Sequence, residues 1–158
     1  MGLDITAYKN LAPVEKPEFD KYGELTHWKT EWMPGASMEW SESEWPGRGE
    51  GVNSKVVYTY EDSFEFYAGS YSGYNGWRSE LKSLSDGKSF GELIEFADNE
   101  GVIGSVVSEK LYKDFANNYE KAKTLKTGCV NTEYWIDRCE SWMKAFEMAR
   151  HNGAVDFH

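Results

Sequence analysis

Two long segments in the second half of the chain carry apolar residues at helical spacing, and they constrain the fold more than any other feature. They cover about residues 105–125 and 133–150. The apolar stripe of the first consists of Val107, Leu111, Phe115 and Ala122, and that of the second of Trp135, Cys139, Trp142, Phe146 and Ala149. A helix with one apolar stripe must bury that stripe against another element. The rest of the chain must therefore supply a second layer.

Short segments with strand-like patterns supply that layer. Residues 3–8 alternate apolar and polar side chains, which predicts a half-buried first strand. Residues 55–69 predict two short strands joined as a hairpin at residues 61–63, and residues 154–158 predict a last strand beside the first. Shorter helices are predicted at about 74–84 and from Phe90 onward. The prediction is a single α+β domain over residues 1–158, with a small, mainly antiparallel sheet packed against three to four helices on one side.

A region of about residues 10–54 is predicted to be irregular. It holds all four prolines of the chain and four of its seven tryptophans. These tryptophans are Trp28, Trp32, Trp40 and Trp45. One interpretation is an irregular layer whose indole rings pack on the core. The other is an aromatic lid or a partner-binding surface, because exposed tryptophan favours recognition.

Composition restricts the classes of partner. The chain has 158 residues and a net charge of −10, and no basic patch emerges along it, which argues against direct nucleic-acid binding. No apolar run approaches the ~20 residues of a membrane span, so we expect no membrane partner. The acidity favours either a solvated surface or carboxylates that imitate DNA phosphates. Cys129, Cys139 and three scattered histidines give little support for a zinc site. Reduced thiols would suit the cytoplasm, although pairing of the two cysteines stays open.

The stretch FEFYAGSYSGYNGWRSEL, residues 64–81, is the strongest candidate for a ligand site. Its glycines lie between a predicted strand and a predicted helix, where backbone amides and the helix dipole favour an anion. Ser70 or Ser72 can cap the helix, Arg78 can bind a phosphate or carboxylate, and aromatic rings can stack on a base. However, the known phosphate-loop patterns and a loop lysine are missing. The alternative is a tight turn whose tyrosines fill a corner of the core.

The acidic turn at residues 98–101 is the second candidate. It resembles part of a calcium loop, but the first and twelfth positions of that register would be Phe96 and Val107, which excludes an EF-hand site. The turn is then either a solvated connection or a partner of the Arg78 loop that completes a polar pocket. The predicted ligand-binding set is Ser70, Tyr71, Ser72, Tyr74, Asn75, Trp77, Arg78, Asp98, Asn99 and Glu100.

No catalytic residue, cofactor or metal is predicted. A nucleophile elbow of the G-x-S-x-G type is missing. Asp156 and His158 share one face of the terminal strand, and they could bind a metal with Asp4 if the two end strands are neighbours.

Four separated stretches of the chain, MGLDITAY, AGSYSGYNGWR, FADNEGVIG and the ending AFEMA…GAVDFH, together resemble a family of small proteins encoded by tailed phages and prophages. The stretch MEWSESEWPGRGEG also fits the pattern of that family, and the similarity spans essentially the whole chain. The resemblance implies a phage accessory protein made in the cytoplasm of the host cell. It implies no activity and no site residues.

Three hypotheses for the function follow. The first is a non-catalytic protein of counter-defence or host modulation that holds a small anionic or nucleotide-like ligand at the glycine-aromatic loop. The second is an acidic inhibitor of a host defence or nucleic-acid enzyme, which binds through carboxylates and residues 28–45. The third is a small enzyme on phosphorylated or nucleotide substrates, with Asp98, Glu100 or His158 as general base. Because no catalytic constellation is recognisable, the sequence favours binding over catalysis.

Overall fold

The computed structural model describes residues 2–158. The strands are β1 (Gly2–Lys9), β2 (Ala12–Pro13), β3 (Glu31–Trp32), β4 (Tyr58–Thr59), β5 (Asp62–Ser70), β6 (Gly101–Gly104) and β7 (Ala154–Phe157). The helices are α1 (Gly35–Glu44), α2 (Tyr71–Leu84), α3 (Gly91–Ile94), α4 (Ser105–Thr124) and α5 (Thr132–Ala149). Within these residues, no helix is long and apolar enough to cross a membrane.

A four-stranded antiparallel sheet with the strand order β5-β1-β7-β6 forms the centre of the fold. The two ends of the chain form its middle pair, in which Thr6 lies opposite Asp156. A smaller sheet has the order β2-β4-β3. The predicted α+β class and the position of the last strand beside the first are both confirmed.

The main core lies between the large sheet and helices α2, α4 and α5. Ile5 and Ala7 of β1 and Val155 and Phe157 of β7 point into it, as alternate residues of neighbouring strands must. The helices contribute most of the aromatic rings, among them Trp77, Trp135, Trp142, Phe115 and Phe146. The helical stripes read from the sequence are therefore core positions, and this packing supplies the second layer that they require.

Several features of the fold differ from the prediction, among them β6, which follows the acidic turn where the sequence predicts no strand. Residues 10–54 are not wholly irregular, because α1 starts directly after Pro34, a residue that is tolerated at a helix start. The helices also do not all lie on one side. α1 and the small sheet cover part of the other face of the large sheet, where Tyr8, Trp32 and Tyr58 form a second apolar cluster.

The predicted hairpin at residues 61–63 is wrong. β4 pairs with β2 and β3, whereas the following strand, β5, pairs with β1. The reason is that the two strands bury their side chains in different clusters. Tyr58 belongs to the second cluster, and Phe64 and Phe66 pack on the main core. The chain therefore crosses from one sheet to the other at the point where a local pattern predicts a turn.

Candidate functional site

The glycine-aromatic loop forms a capped helix start. α2 begins at Tyr71, three residues earlier than predicted, and the Ser70 side chain accepts a hydrogen bond of 3.0 Å from the Gly73 amide. The predicted serine cap is thus confirmed for Ser70, and Ser72 is an exposed neighbour whose hydroxyl lies 3.2 Å from that of Ser70. Gly69 has a φ of 129°, a conformation that side chains rarely adopt, so a glycine is needed where β5 turns into the helix.

The rings of this loop face the core. Tyr74 and Trp77 are 0% exposed, and they stack on each other with centroids 6.2 Å apart. Trp77 also stacks on Trp142 at 5.8 Å, and the half-buried Tyr71 packs against the same core. The expectation that Tyr74 and Trp77 stack on a ligand is therefore corrected, because both rings are covered by other side chains.

Arg78 serves as an internal clamp. Its terminal nitrogens donate hydrogen bonds to the carbonyl oxygens of Ile94 and Phe96 and to the side-chain oxygen of Asn75. Its guanidinium lies over the Tyr74 ring, 4.7 Å from the centroid. Asn75 in turn donates a bond of 3.0 Å to Asp98. The structure thus brings Asn75, Arg78 and Asp98 together, as the polar-pocket interpretation expects, but it joins them to each other and to the backbone.

The remaining members of the predicted set surround this clamp. Asn99 is exposed and Glu100 is half-buried in the turn before β6. A hollow of about 480 Å³ lies beside the start of α2, and Ser70, Gly73 and Arg138 line it. Arg138 already forms an ion pair with Asp137. A ligand-binding role for the predicted residues stays a prediction.

Two hollows lie on the face of the large sheet that is turned away from the main core. On this face the strand pairing places side chains in rows across the sheet. One row runs from Glu65 through Thr6 and Asp156 to Val102. His158 lines both hollows. We call the two hollows together the sheet-face groove.

The outer hollow has a volume of about 230 Å³ and a mixed polar and apolar lining. Asp4, Thr6, Glu65, Tyr67 and His158 are among its lining residues. The Thr6 hydroxyl oxygen and the His158 Nε2 atom lie 2.9 Å apart. This contact holds the imidazole of a residue that lines both hollows.

The inner hollow is larger, about 630 Å³, and has aromatic walls. Tyr8 and Trp32 stack with centroids 4.7 Å apart and form its floor. Phe19 and Trp28 also line it, although they remain 45% and 67% exposed. Aromatic side chains that stay in solvent at the edge of a concave site are typical of recognition surfaces.

Two carboxylates of the inner hollow lie in an unusual environment. The Trp32 indole donates a bond of 3.2 Å to Asp156, and burial raises the pKa of this aspartate to about 6, although the nearby His158 opposes the shift. Glu31 has an oxygen, Oε1, that is excluded from solvent and accepts no hydrogen bond from residues 2–158. Such a buried acceptor is unfavourable unless a partner reaches it.

The charge of the inner hollow is one-sided. Glu24, Glu31 and Asp156 line it, and His158 is the only residue of basic type in the lining that residues 2–158 provide. The lining of the inner hollow therefore favours a positively charged group and disfavours an anion, and at its rim Lys29 Nζ already lies 5.5 Å from the centroid of the Trp28 ring.

The two other chemical expectations concern metals and thiols. β1 and β7 are neighbours, and Asp4 and His158 exchange two backbone hydrogen bonds of 2.8 and 2.9 Å. Within residues 2–158, however, no group of three histidine, cysteine or acidic side chains is arranged to hold a metal ion. Cys129 and Cys139 are both free. Burial raises the pKa of Cys139 to about 12, which keeps this thiol protonated and unreactive.

Comparison with models of known protein families, with curated proteins and with solved structures finds no match to this chain. The fold and the site define an α+β protein with an acidic, aromatic groove on one sheet face. Asp156 and His158 share one face of the last strand, as the sequence predicts, but the groove itself was not predicted. The alternation of Asp4, Thr6 and Tyr8 on β1 is the local signal that could have extended that observation.

Proposed function

We propose that this protein is a non-catalytic binding protein and that the sheet-face groove is its binding surface. The observation that carries this proposal is that exposed aromatic rings and a buried carboxylate oxygen without a donor occur in the same inner hollow. Phe19 and Trp28, which remain in solvent at its rim, line the same hollow as Glu31, which has a buried oxygen that no donor of residues 2–158 reaches. Exposed rings and unpaired acceptors both carry a cost that a bound partner removes.

Binding is a better account of the groove than catalysis. Thr6 and His158 are close enough to act as a nucleophile and its base. However, Thr6 is only 4% exposed and lies in a strand that is paired on both sides, so its neighbouring amides are used in the sheet. A reacting carbonyl would find neither access to the hydroxyl nor free amides to stabilise an oxyanion.

A polypeptide is a better partner than a small anion. Tyr22 is 77% exposed and directly precedes Gly23, which lines the hollow, so exposed aromatic surface continues along the chain beyond the size that a small ligand needs. An anion at the glycine-aromatic loop is less well supported, because Arg78 has internal partners and Tyr74 and Trp77 are buried. The resemblance to phage accessory proteins then suggests a host protein as the partner, which corresponds to the inhibitor hypothesis.

Site-directed crosslinking in a phage-susceptible bacterial host tests this proposal. A photoreactive residue replaces Tyr22 or Trp28 at the rim or, as a control, the exposed Glu133 at the start of α5. We expect one host polypeptide to be crosslinked from positions 22 and 28 but not from 133. Capture from position 133 alone, or from none of these positions, would contradict the proposal.

A matched pair of variants measures the contribution of the rim. With the purified partner, Trp28→Ala should weaken binding by about tenfold or more, because exposed tryptophan at a binding surface often dominates affinity. Trp40→Ala removes a tryptophan that packs edge-on against Trp45 outside the groove, and it should leave affinity unchanged. Equal losses in both variants would point to a different surface.

A further inference from the structure

We propose that the inner hollow of the sheet-face groove is a cation subsite, which takes the side chain of an arginine from the partner polypeptide. This inference rests on the proposed function and specifies the chemistry of the contact. In this proposal the two carboxylates and the aromatic floor of the hollow bind the same guanidinium group.

One carboxylate of the hollow needs a hydrogen-bond donor that residues 2–158 do not supply, and a second carboxylate lines the same hollow. Glu31 Oε1 is buried and receives no hydrogen bond from residues 2–158. No other buried carboxylate oxygen of these residues lacks a hydrogen bond. Asp156 receives one bond from Trp32 at Oδ2. A guanidinium has five N–H donors in a planar fork and can serve both carboxylates, and its charge makes each bond stronger than a neutral one.

The aromatic floor suits the shape of the same group. The Tyr8 and Trp32 rings stack at 4.7 Å, and Trp28 stands at the rim. A planar cation stacks on an indole through both its charge and its flat face, which is why arginine is favoured over lysine at such sites. The protein uses this arrangement internally, since the Arg150 guanidinium lies 4.2 Å from the centre of the Tyr112 ring.

Size and charge favour a polypeptide source for the cation. A hollow of about 630 Å³ falls in the range that holds drug-sized ligands, about 300–1,000 Å³, so an arginine enters together with its flanking backbone. The outer hollow adds Asp4 and Glu65 on the same face, where the next residues of the partner would lie. The chain as a whole carries a net charge of −10, which attracts basic segments over long distance.

Blocked tripeptides test the subsite directly, since they do not require the partner polypeptide to be identified. Glycyl-arginyl-glycine is the probe. The citrulline tripeptide is its neutral isostere, and the lysine tripeptide carries the same charge without the planar guanidinium. The indole N–H signals of Trp28 and Trp32 in NMR spectra report binding inside the hollow. We expect the arginine probe to bind about tenfold more tightly than citrulline and more tightly than lysine.

Two variants of the hollow and one matched control localise the effect. Asp156→Asn and Glu31→Gln should each weaken binding of the arginine probe by about tenfold, because each removes one charged acceptor. Glu133→Gln removes the same charge on α5, far along the chain from the groove, and should change affinity by less than about twofold. Thermal unfolding of each variant verifies that the fold is retained.

Three outcomes would overturn the inference. Equal binding of the arginine and citrulline probes would show that charge is not recognised. Tighter binding of a neutral disaccharide, whose rings also stack on indoles, would make the hollow a sugar subsite. If no probe binds while crosslinking still depends on the Trp28 rim, the cation subsite fails and the proposed function stands. If both experiments fail, both proposals fail.

Discussion

The Arg78 clamp and the sheet-face groove are built from the same kinds of residues, yet they differ in how their charges are satisfied. In the clamp, Arg78 lies over Tyr74 and donates to two backbone carbonyls and to Asn75, which itself donates to Asp98. In the groove, Glu31 has a buried oxygen that no donor of residues 2–158 reaches, and burial raises the pKa of Asp156 to about 6.

This difference separates a structural cluster from a binding site. A charged group whose donors are matched inside the protein stabilises the fold and has little left for a ligand. A buried carboxylate without partners lowers stability, and such groups concentrate at functional sites. The aromatic and charged residues of the glycine loop are conspicuous in the sequence, but they have partners inside the protein. The groove is where a hydrogen-bond donor from a partner molecule is needed.

The largest expected effect is that of Arg78→Ala on stability. The substitution leaves the carbonyl oxygens of Ile94 and Phe96 without their donor and removes the contact with Tyr74. We expect a loss of roughly 3 kcal/mol in the free energy of unfolding, measured with urea, and unchanged binding at the groove. Lys82→Ala, at an exposed position on the same helix, is the control and should change stability by less than about 0.5 kcal/mol. A variant that folds with full stability but loses a nucleotide-like ligand would instead restore the glycine loop as the site.

Asp156→Asn should have opposite effects on stability and binding. The pKa of Asp156 in the folded protein is raised to about 6 from its ordinary 3.8, so the fold favours the neutral carboxyl. The contribution of this preference to stability is complete below about pH 4 and is lost as the pH rises through 6. We therefore expect the variant to be more stable than the natural chain by about 2 kcal/mol near pH 8, and to gain almost nothing near pH 4.

Urea unfolding at the two pH values measures this effect, and the arginine probe measures binding in the same samples. A variant that gains stability and loses affinity shows that the carboxylate is unfavourable for folding and is used for binding. Loss of stability near pH 8 would show that Asp156 is a structural group like those of the clamp.

The affinity for the arginine probe should depend on the protonation of Asp156. A bound guanidinium favours the charged carboxylate and lowers its pKa, so binding is tightest above about pH 6 and weakens below it. Between pH 7 and pH 5 we expect affinity to fall by about tenfold, the effect of taking up one proton. Tyr8, Glu24, Glu31 and His158 are the other titratable groups that line the same hollow. Calorimetry over this pH range should show a much flatter profile for Asp156→Asn, and an unchanged profile would assign the dependence to one of those groups.

The smallest expected effect concerns the helix cap at the glycine loop. Ser70→Ala removes the bond from the Gly73 amide and should lower the free energy of unfolding by about 1 kcal/mol. Ser72→Ala changes only the exposed hydroxyl beside Ser70 and should lower the free energy of unfolding by less. Thermal unfolding of both variants measures the difference. Neither substitution should alter binding of the arginine probe, and a loss in either would link this loop to the groove.

Local sequence patterns were sufficient for much of the fold. The spacing of Leu111, Phe115, Trp135 and Trp142 defines amphipathic helices because residues three and four apart share one helix face. Alternation in residues 3–8 and 154–157 defines half-buried strands for a similar reason. The Ser70 cap also involves residues only three apart. In each case the physical cause lies within a few residues of the chain.

The position of every candidate binding group was decided by the tertiary structure. Trp32 reaches Asp156 across 124 residues of sequence because β7 pairs with β1 and the small sheet folds over that face. The same packing buries Tyr74 and Trp77 and leaves Trp28 in solvent, although all three are large aromatic residues. The sequence alone determined the longer helices and the strands at the two ends of the chain, since these depend on neighbouring residues, but it did not predict α1 or β6. Which rings are covered and which carboxylates lack partners depends on long-range pairing, and only the folded chain defines it.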